Sequence, residues 1–260
     1  ISEGNLYAHG VAQDLRKVIA AREGVAPENV LLSGGSSELL CLTGMSVGLE
    51  GGSVLSAFPT FRLLMDYAQK FNARWDQVNL DDNMVHNLEA MASAVKDDTK
   101  IFVVNPNNPT GTVLDTEKLK SFCIETGKRA TVFVDEAYIE FLDQYESKSM
   151  VQLVKEGHNV LVCRTFSKIY GLAGLRIGYL IGQPDTLKKI ASKQMWGNYN
   201  QAGLAAAAAS LEDKDFVAMT RKKNAEARQH LFNYLNSKKW SYGKSVANVV
   251  FFPAPIDGKT

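Results

Sequence analysis

Two residues that could do chemistry follow short apolar runs typical of buried strands. Asp135 comes directly after the run 131–134, and Lys168 lies a few residues after the run 160–163. A carboxylate at the end of a buried strand is costly unless a cation or strong donor meets it, and an amine can attack a carbonyl carbon. Taken alone, the lysine is more often a surface residue, and the acid is as often part of an ion pair or helix cap.

Two further polar groups follow predicted strands in the same way. Gly34 and Gly35 precede Ser36 and Ser37 at the start of a predicted helix, where free backbone amides and small hydroxyls suit a phosphate. The loop that contains Asn108 has two prolines, which fix its shape and leave the asparagine amide available to a ligand. Considered singly, a tight turn with a serine cap and a structural turn explain these segments well.

Together, the four groups predict one kind of site. Ligands of a parallel α/β sheet bind at the carboxyl ends of its strands, and all four groups are predicted to lie there. They supply a phosphate cradle, an amide for a ring substituent, a buried acid and an amine nucleophile. This combination matches pyridoxal 5′-phosphate, whose aldehyde needs a lysine, whose ring nitrogen needs an acid and whose phosphate needs amides and an arginine.

The elements that must position these residues alternate between strand and helix. Short apolar strands separated by helices predict an α/β fold, with a mostly parallel sheet covered by helices on both faces. After Pro184 the pattern changes to long helices, so we expect a large cofactor-binding domain over 1–212 and the beginning of a smaller, truncated α+β domain over 213–260. The predicted strands are 30–32, 54–55, 101–104, 131–134, 160–163, 177–181 and 249–252. The predicted helices are 11–22, 36–47, 60–71, 88–95, 116–126, 185–195, 201–211 and 215–235.

The composition argues against several other classes of protein. Lys plus Arg number 29 and Asp plus Glu number 28, so the net charge of +1 gives no support to a nucleic-acid or membrane partner. The 3 cysteines lie far apart in the sequence, which favours a reducing cytoplasm over a disulfide framework. No apolar run is long enough to span a bilayer, and no metal-binding, phosphate-loop or dinucleotide-binding motif is complete.

Three segments of the chain resemble the fold-type I pyridoxal-phosphate-dependent aminotransferases. They are Asn-Pro-Asn-Asn-Pro-Thr-Gly at 105–111, Asp-Glu-Ala-Tyr-Ile-Glu-Phe at 135–141 and Arg-Thr-Phe-Ser-Lys-Ile-Tyr-Gly-Leu-Ala-Gly-Leu-Arg-Ile-Gly-Tyr at 164–179. The third segment is highly specific, the first is moderately so, and the similarity runs in order from about Asn5 to about Phe252. Within the family, the chain is most similar to the histidinol-phosphate aminotransferase subgroup.

The resemblance implies a role for each residue that matches the family pattern. Lys168 would bind the cofactor covalently, Asp135 would pair with its ring nitrogen, and Asn108 and Tyr138 would contact its phenolic oxygen. Lys168, Asp135 and Tyr138 would form the catalytic set. Phe61 stands where the subgroup often has a stacking tyrosine, so the ring face is kept while that tyrosine's hydrogen bond is lost. The residues implied around the phosphate are Ser36, Ser37, Thr165, Ser167 and Arg176.

The resemblance also implies a homodimer with shared active sites. Tyr7 matches a tyrosine that the neighbouring subunit donates to the cofactor phosphate, although a simple surface aromatic residue explains it equally well. The family's substrate-carboxylate arginine is expected beyond Thr260, because both ends of the chain look cut.

The implied reaction is reversible transfer of an amino group between an amino compound and a 2-oxo acid. The subgroup predicts L-histidinol phosphate and 2-oxoglutarate as the small-molecule partners, in cytoplasmic histidine biosynthesis. Transamination of aromatic or other amino acids, and decarboxylation of a phosphorylated amino acid, stay open as alternatives within the same fold. A pyridoxal-phosphate-binding regulatory module without turnover and a cofactor-free α/β binding protein are the alternatives from other classes.

Overall fold

The computed structural model describes residues 7–196 and 198–253. In the described part, helices and strands alternate as far as Thr165, after which one strand and three helices follow. The strands are β1 (Val30–Ser33), β2 (Ser53–Phe58), β3 (Arg74–Asn79), β4 (Thr99–Val104), β5 (Val132–Asp135), β6 (Val160–Thr165) and β7 (Gly178–Ile181). The helices are α1 (His9–Glu23), α2 (Ser36–Leu49), α3 (Leu63–Lys70), α4 (Leu88–Ser93), α5 (Thr116–Gly127), α6 (Val151–Lys155), α7 (Pro184–Ala191), α8 (Gln201–Glu212) and α9 (Lys214–Ser237).

The described strands form one sheet in the order β1-β7-β6-β5-β4-β2-β3. The neighbours β6-β5, β5-β4, β4-β2 and β2-β3 are parallel, whereas β7 runs antiparallel to both β1 and β6. The carboxyl ends of β4, β5 and β6 therefore meet at one edge of the sheet. The predicted α/β fold with a mostly parallel sheet is confirmed.

The central strands are apolar because helices cover both of their faces. Along β4, Ile101 and Val103 belong to a core beneath α1, α5 and α8, whereas Phe102 and Val104 belong to a core beneath α2, α3 and α7. All four side chains are buried, so alternate residues of one strand supply the two cores. Burial on both faces explains why these strands read as continuous apolar runs in the sequence.

The strand predicted over 249–252 is wrong. Residues 249–253 have no strand partner in the described part of the chain, and the segment is held by a bond from the Gly243 amide to the Phe251 carbonyl, 2.8 Å. An apolar run forms a stable strand only where a neighbouring strand completes its hydrogen bonds. The converse error is β3, which the sequence pattern missed because Arg74, Asp76 and Gln77 make it polar, as is usual for a strand at the edge of a sheet.

Three predicted helices are longer than the helices of the structure. The helix predicted over 88–95 ends at Ser93, and the other two end or begin where a side chain makes a bond outside the helix. The helix predicted from Thr60 begins at Leu63, because the Thr60 hydroxyl donates a hydrogen bond to the Asn107 side chain, 2.7 Å. The helix α7 ends at Ala191, and beyond it the Gln194 amide donates to the Leu32 carbonyl at the end of the sheet, 2.9 Å. In both cases a side chain leaves the helical pattern to bond a neighbouring loop or strand.

The long helix α9 begins directly after the predicted domain boundary. Asp213 ends α8 and caps α9, since its carboxylate accepts a bond from the Phe216 amide, 2.9 Å. Leu235 is the buried residue of α9, so most of this helix lies outside the two cores. The division into 1–212 and 213–260 stays a prediction. None of the helices in the described ranges has the length and apolar character that crossing a membrane requires.

Candidate active site

A small cavity lies at the carboxyl ends of β4, β5 and β6, against the beginning of α2. Its volume is about 170 Å³. It contains every residue that the sequence predicted for the cofactor site except Thr165 and Tyr7. The lining residues are Ser36, Ser37, Phe61, Val104, Asn108, Asp135, Ala137, Tyr138, Ser167, Lys168, Ala173 and Arg176.

Asp135 is the acid of the cavity, and burial controls its protonation. It is the last residue of β5, and 3% of it is exposed. Its Oδ1 accepts a hydrogen bond from the Ala137 amide, 3.0 Å. Burial raises the pKa of the Asp135 carboxyl to about 7, although the Ala137 amide and the Lys168 ammonium oppose this shift. A ligand that presents a cationic N–H at this carboxyl would restore its ionisation.

Lys168 brings its amine into the same cavity from the loop after β6. Its Nζ lies 5.1 Å from the centroid of the Tyr138 ring, close enough for a cation–π contact. The chain makes a tight turn here, with the Gly171 amide bonded to the Lys168 carbonyl, 3.0 Å. The amine and the Asp135 carboxyl thus reach one cavity from two adjacent parallel strands.

The loop after β4 uses most of its polar side chains to hold itself together. The Asn105 side chain accepts a bond from the Leu114 amide, 2.8 Å, and the Asn107 side chain donates to Thr110, 2.9 Å. Asn108 is different, because its side-chain amide donates to the Tyr138 hydroxyl at 3.3 Å and lines the cavity. Asn108 and Tyr138, which the resemblance assigns to the same phenolic oxygen, are therefore neighbours that both line the cavity.

The beginning of α2 lies beside Arg176 at the other end of the cavity. No side chain of the described residues caps this helix, so the hydroxyls of Ser36 and Ser37 are not used as the serine cap that the sequence allowed. Gly35 adopts a φ of +87°, and a β-carbon at this position would overlap the Arg176 guanidinium. Because Gly35 has no side chain, the Arg176 guanidinium can lie beside the free amides at the beginning of α2.

Ser167 contacts Arg176 directly, and Thr165 contacts Ser167. The Arg176 guanidinium donates to the Ser167 hydroxyl, 3.3 Å, and to the Ala173 carbonyl, 2.8 Å. The Thr165 hydroxyl bonds Ser167, 2.9 Å, and 2% of Thr165 is exposed. Thr165 does not itself line the cavity but bonds Ser167, which does, and its predicted place around the phosphate stays a prediction.

Phe61 lies where the cavity opens into a second cleft. Phe61 and Asn108 line both the cavity and an adjoining cleft of about 420 Å³, which continues along Arg62 and Asp66. A substrate that approaches Lys168 by this route would pass the Phe61 ring, of which 37% is exposed. The aromatic face expected at this position is therefore present.

Tyr7 does not reach the cavity of its own chain. It is 70% exposed, and its ring lies 5.1 Å from the ring of Trp196 and 6.1 Å from that of His9. The cavity-lining residues do not include any of these three aromatic residues. Its predicted role across a dimer stays a prediction.

The chemistry of the cavity fits pyridoxal phosphate at each of its ends. Lys168 supplies an amine for the aldehyde, and Asp135 supplies a buried acid for the ring nitrogen. Tyr138 and Asn108 supply donors for the phenolic oxygen. Serine hydroxyls, helix amides and Arg176 supply donors for the phosphate, and the absence of a side chain at Gly35 leaves space for them to meet.

The sequence did not reveal a buried ionic cluster on the opposite face of the same strands. We define the Arg164 cluster as Arg164, Glu136, Glu23 and Ser149. Glu136 directly follows Asp135, and Arg164 stands four residues before Lys168, so both were visible within the specific motifs. Their pairing was not, because it depends on the register of β5 against β6.

The comparisons with known proteins agree on one family. The model of the family "Aminotransferase class I and II" matches residues 2–255. Histidinol-phosphate aminotransferase 1 of Bacillus thuringiensis subsp. konkukian is 34% identical over 258 residues, which are 99% of this chain and 70% of that protein. A putative histidinol-phosphate aminotransferase from Erwinia carotovora atroseptica has a TM-score of 0.94 at 27% identity, over 100% of this chain and 76% of that one. The Sinorhizobium meliloti histidinol-phosphate aminotransferase was solved in complex with pyridoxal-5′-phosphate. It has a TM-score of 0.89 at 27% identity, over 99% of this chain and 70% of that one.

Proposed function

Because this chain belongs to the class I and II aminotransferases and is a pyridoxal-phosphate-dependent enzyme, we propose that it transfers the amino group of L-histidinol phosphate to 2-oxoglutarate. The choice of substrate is supported by the relatives named as histidinol-phosphate aminotransferases, which the chain matches over 99% of its length. The observation that carries the reaction type is the meeting of the Lys168 amine and the buried Asp135 carboxyl in one cavity.

Four side chains would hold the ring of the cofactor. When bound, pyridoxal phosphate supplies an aldehyde that combines with amines and a ring that takes up an electron pair from the substrate carbon. Asp135 would accept a hydrogen bond from the ring nitrogen and hold its proton there, in a site too dry for water to compete. Tyr138 and Asn108 would donate to the phenolic oxygen, and Phe61 would cover one face of the ring.

Lys168 would both anchor the cofactor and move a proton. Its Nζ would bind the aldehyde carbon covalently, and a substrate amine would release it. The free Nζ would then take the proton from the substrate Cα and deliver it to the neighbouring carbon of the cofactor. The Tyr138 ring, 5.1 Å from Nζ, limits where the amine can move while it does so.

The phosphate end of the site would fix the cofactor without taking part in proton transfer. Ser36, Ser37 and Ser167 would donate hydroxyl hydrogen bonds, and the Arg176 guanidinium would supply the charge. The amides at the beginning of α2 add the positive end of a helix dipole, which favours an anion.

A panel of amino donors tests the substrate with the full-length protein. L-Histidinol phosphate, aromatic amino acids and aspartate would each be supplied with 2-oxoglutarate, and glutamate formation and carbon dioxide release would be measured separately. We expect the highest kcat/KM for histidinol phosphate. A higher kcat/KM for an aromatic amino acid would contradict the proposed donor, and carbon dioxide without glutamate would contradict transamination.

We further propose a homodimer in which Tyr7 reaches the phosphate of the partner's site. Its exposed ring, whose aromatic contacts among the described residues are tilted ones with His9 and Trp196, is available to a second chain. Tyr7→Phe should weaken cofactor binding by roughly 1.5–3 kcal/mol, the worth of one hydrogen bond to a charged group. Tyr234→Phe, which changes a comparably exposed tyrosine on α9, is the control.

Mixing two impaired variants tests whether the site is shared. A hybrid of Tyr7→Phe and Lys168→Ala chains would contain one site with both changes and one with neither. We expect that hybrid to recover cofactor binding and activity at its intact site. No recovery in confirmed hybrids would mean that Tyr7 does not act across the dimer and that the site is not shared.

The cytoplasm is the location that we propose for the protein. Cys41, Cys123 and Cys163 are all unpaired in the structure, which suits a reducing compartment. Cell fractionation with an antibody against the protein checks this, and recovery of the protein from an oxidising compartment would contradict it.

A further inference from the structure

The Arg164 cluster provides a hydrogen-bond acceptor for each of the three nitrogens of one buried guanidinium. Arg164 is 1% exposed, and its Nε donates to Glu136 Oε2, 3.0 Å. One terminal nitrogen donates to Glu23 Oε1, 3.0 Å, and the other to the Ser149 hydroxyl, 2.8 Å. Glu136 is equally buried and accepts further bonds from the Ser149 hydroxyl, 2.8 Å, and the Met150 amide, 2.7 Å. Few positions remain for either side chain to move.

The cluster is attached to the ends of the two strands that carry the proposed cofactor anchors. Glu136 is the residue after Asp135, and its amide bonds the Cys163 carbonyl on β6, 2.9 Å. Arg164 follows Cys163 and lies on the face of the sheet opposite to Asp135, together with Val162. A rotation or slide of either strand end would therefore break the Arg164–Glu136 contact and displace the Asp135 carboxyl from the Lys168 amine.

We propose that Arg164 is a positioning residue for the cofactor, which acts through Glu136 to fix the Asp135 carboxyl against the Lys168 amine. The proposal rests on the cofactor roles of Asp135 and Lys168 given above. Arg164 does not line the cavity, so its effect is transmitted by the backbone of β5 and β6.

A purely stabilising role explains the cluster less well. Moving a guanidinium and its carboxylates out of water costs about as much as their attraction returns, so apolar side chains of similar volume would stabilise this face equally. An ionic cluster has a different property, because it accepts one geometry and rejects the neighbouring ones. It also controls charge, since the Glu136 carboxylate raises the pKa of the Asp135 carboxyl, and Arg164 offsets that carboxylate.

Arg22 offers a matched control on the same face of the sheet. It belongs to α1 and is exposed, and its guanidinium donates to the Tyr145 hydroxyl, 2.7 Å, and to the Leu211 carbonyl, 3.2 Å. In the structure it makes no contact with Glu136 or with the ends of β5 and β6 among the described residues. Arg22→Lys therefore disturbs a guanidinium on the same face while leaving the hydrogen bonds between Arg164, Glu136 and the ends of β5 and β6 in place.

The test compares Arg164→Lys with Arg22→Lys in the full-length protein. The measurements are the melting temperature without cofactor, the dissociation constant of pyridoxal phosphate and the visible circular dichroism of the bound cofactor, which reports its orientation. We expect Arg164→Lys to raise the dissociation constant about tenfold or more and to reduce the dichroic band. Lysine keeps the positive charge but lacks the planar set of donors that bonds Glu136, Glu23 and Ser149 together. Arg22→Lys should leave both cofactor measurements near wild type.

The outcomes separate a positioning role from a structural one. Equal losses of cofactor affinity in the two variants, at equal losses of melting temperature, would overturn the proposal. If Arg164→Lys does not fold, Glu136→Gln replaces it, since glutamine still accepts from the Met150 amide and holds the guanidinium less firmly. Wild-type affinity and dichroism in Glu136→Gln would then overturn the proposal.

A separate measurement distinguishes this failure from failure of the proposed function. Borohydride reduction of the wild-type holoenzyme, followed by peptide mapping, should place the cofactor on Lys168. A label on another lysine would overturn the cofactor roles and this proposal together. A label on Lys168 with wild-type affinity in Arg164→Lys would overturn this proposal alone.

Discussion

At the ends of β5 and β6, the acids on the two faces of the sheet differ in how many hydrogen bonds the protein itself provides. On one side, the Asp135 carboxyl accepts one hydrogen bond within the described residues, from the Ala137 amide, and otherwise faces a cavity that it shares with Lys168. On the other side, Glu136 accepts bonds from a hydroxyl, an amide and a guanidinium and does not line that cavity. Adjacent residues of one chain therefore carry one carboxyl that is kept available and one that is fully bonded.

The comparison teaches how a buried acid can be recognised as a ligand-binding group. Burial raises the pKa of an acid, and a fold can compensate with its own donors or leave that to a ligand. The cost of burying the Asp135 carboxylate has to be offset by a ligand in the cavity. For Glu136, donors of the protein itself offset that cost. Exposure does not separate the two residues, since both are nearly inaccessible to solvent.

The replacement Lys168→Ala breaks the cavity side of the comparison most severely. Transamination should fall by at least on the order of 10³-fold, because both the covalent attachment and the proton transfer lose their amine. The melting temperature of the protein without cofactor should change little, since Lys168 belongs to a loop beyond β6. Lys188→Ala, on an exposed turn of α7, is the control and should keep full activity. A residual rate above about one tenth of wild type would contradict the assignment.

The stability of the protein without cofactor should depend on pH through Asp135. Its pKa is raised on folding, to about 7, so the folded state is favoured when the carboxyl is protonated. The stability that this provides is fully present below the unfolded pKa of 3.8 and is lost as pH rises through about 7. Urea unfolding at pH 5 and pH 8 measures the loss, which Asp135→Asn should reduce by roughly 2–4 kcal/mol.

Other carboxyls titrate in the same range, so the measurement has to be a difference. Burial also raises the pKa of Glu140 to about 7, on the side of the Arg164 cluster. Wild type minus Asp135→Asn isolates the cavity acid, because Glu140 is present in both proteins. An unchanged dependence on pH in the variant would mean that Asp135 is already compensated without a ligand.

The replacement Asp135→Asn should have a smaller effect on activity than the loss of Lys168. The amide fills the same volume but cannot hold the proton of the ring nitrogen, which removes a charge-assisted bond worth roughly 1.5–3 kcal/mol. Turnover should fall about ten- to hundredfold while borohydride still labels Lys168. Steady-state kinetics and peptide mapping check the two halves of this prediction. Wild-type turnover would mean that Asp135 is structural, like Glu136.

Most of the fold could be predicted from the sequence, because the central strands are buried on both faces. Such strands read as apolar runs, and the polar residues that end them, such as Asp135 and Asn108, mark the functional edge of the sheet. The edge strand β3 escaped because it is polar, and the run 249–252 misled because apolar composition does not supply a strand partner. The predicted family and its aminotransferase chemistry are confirmed by the comparisons.

The site was predictable residue by residue and not as a set of contacts. The motifs identified Lys168, Asp135 and Tyr138, whose side chains do line one cavity. They did not reveal that Thr165 lies behind Ser167, because that depends on side-chain direction at the end of β6. The Arg164 cluster stayed hidden for a related reason: Glu23 and Arg164 are 141 residues apart, and no local pattern connects them.

The smallest expected effect concerns Gly35, at the phosphate end of the cavity. Its positive φ of +87° strains any side chain, and a β-carbon there would displace the Arg176 guanidinium. Gly35→Ala should therefore weaken cofactor binding by about 1–2 kcal/mol, measured as the dissociation constant of pyridoxal phosphate. The change leaves Asp135, Lys168 and the Arg164 cluster untouched, so it separates the phosphate end from the ring end.

The neighbouring glycine supplies the control for this prediction. A β-carbon at Gly34 would lie 3.4 Å from Glu38 Oε2, an ordinary contact, and the φ of Gly34 is not positive. Gly34→Ala should consequently bind the cofactor within about threefold of wild type, because neither the backbone nor Arg176 has to move. Equal losses in both variants would mean that the flexibility of the turn matters, and not the space beside Arg176. A loss confined to Gly35→Ala would locate the phosphate at the meeting of Arg176 and the beginning of α2.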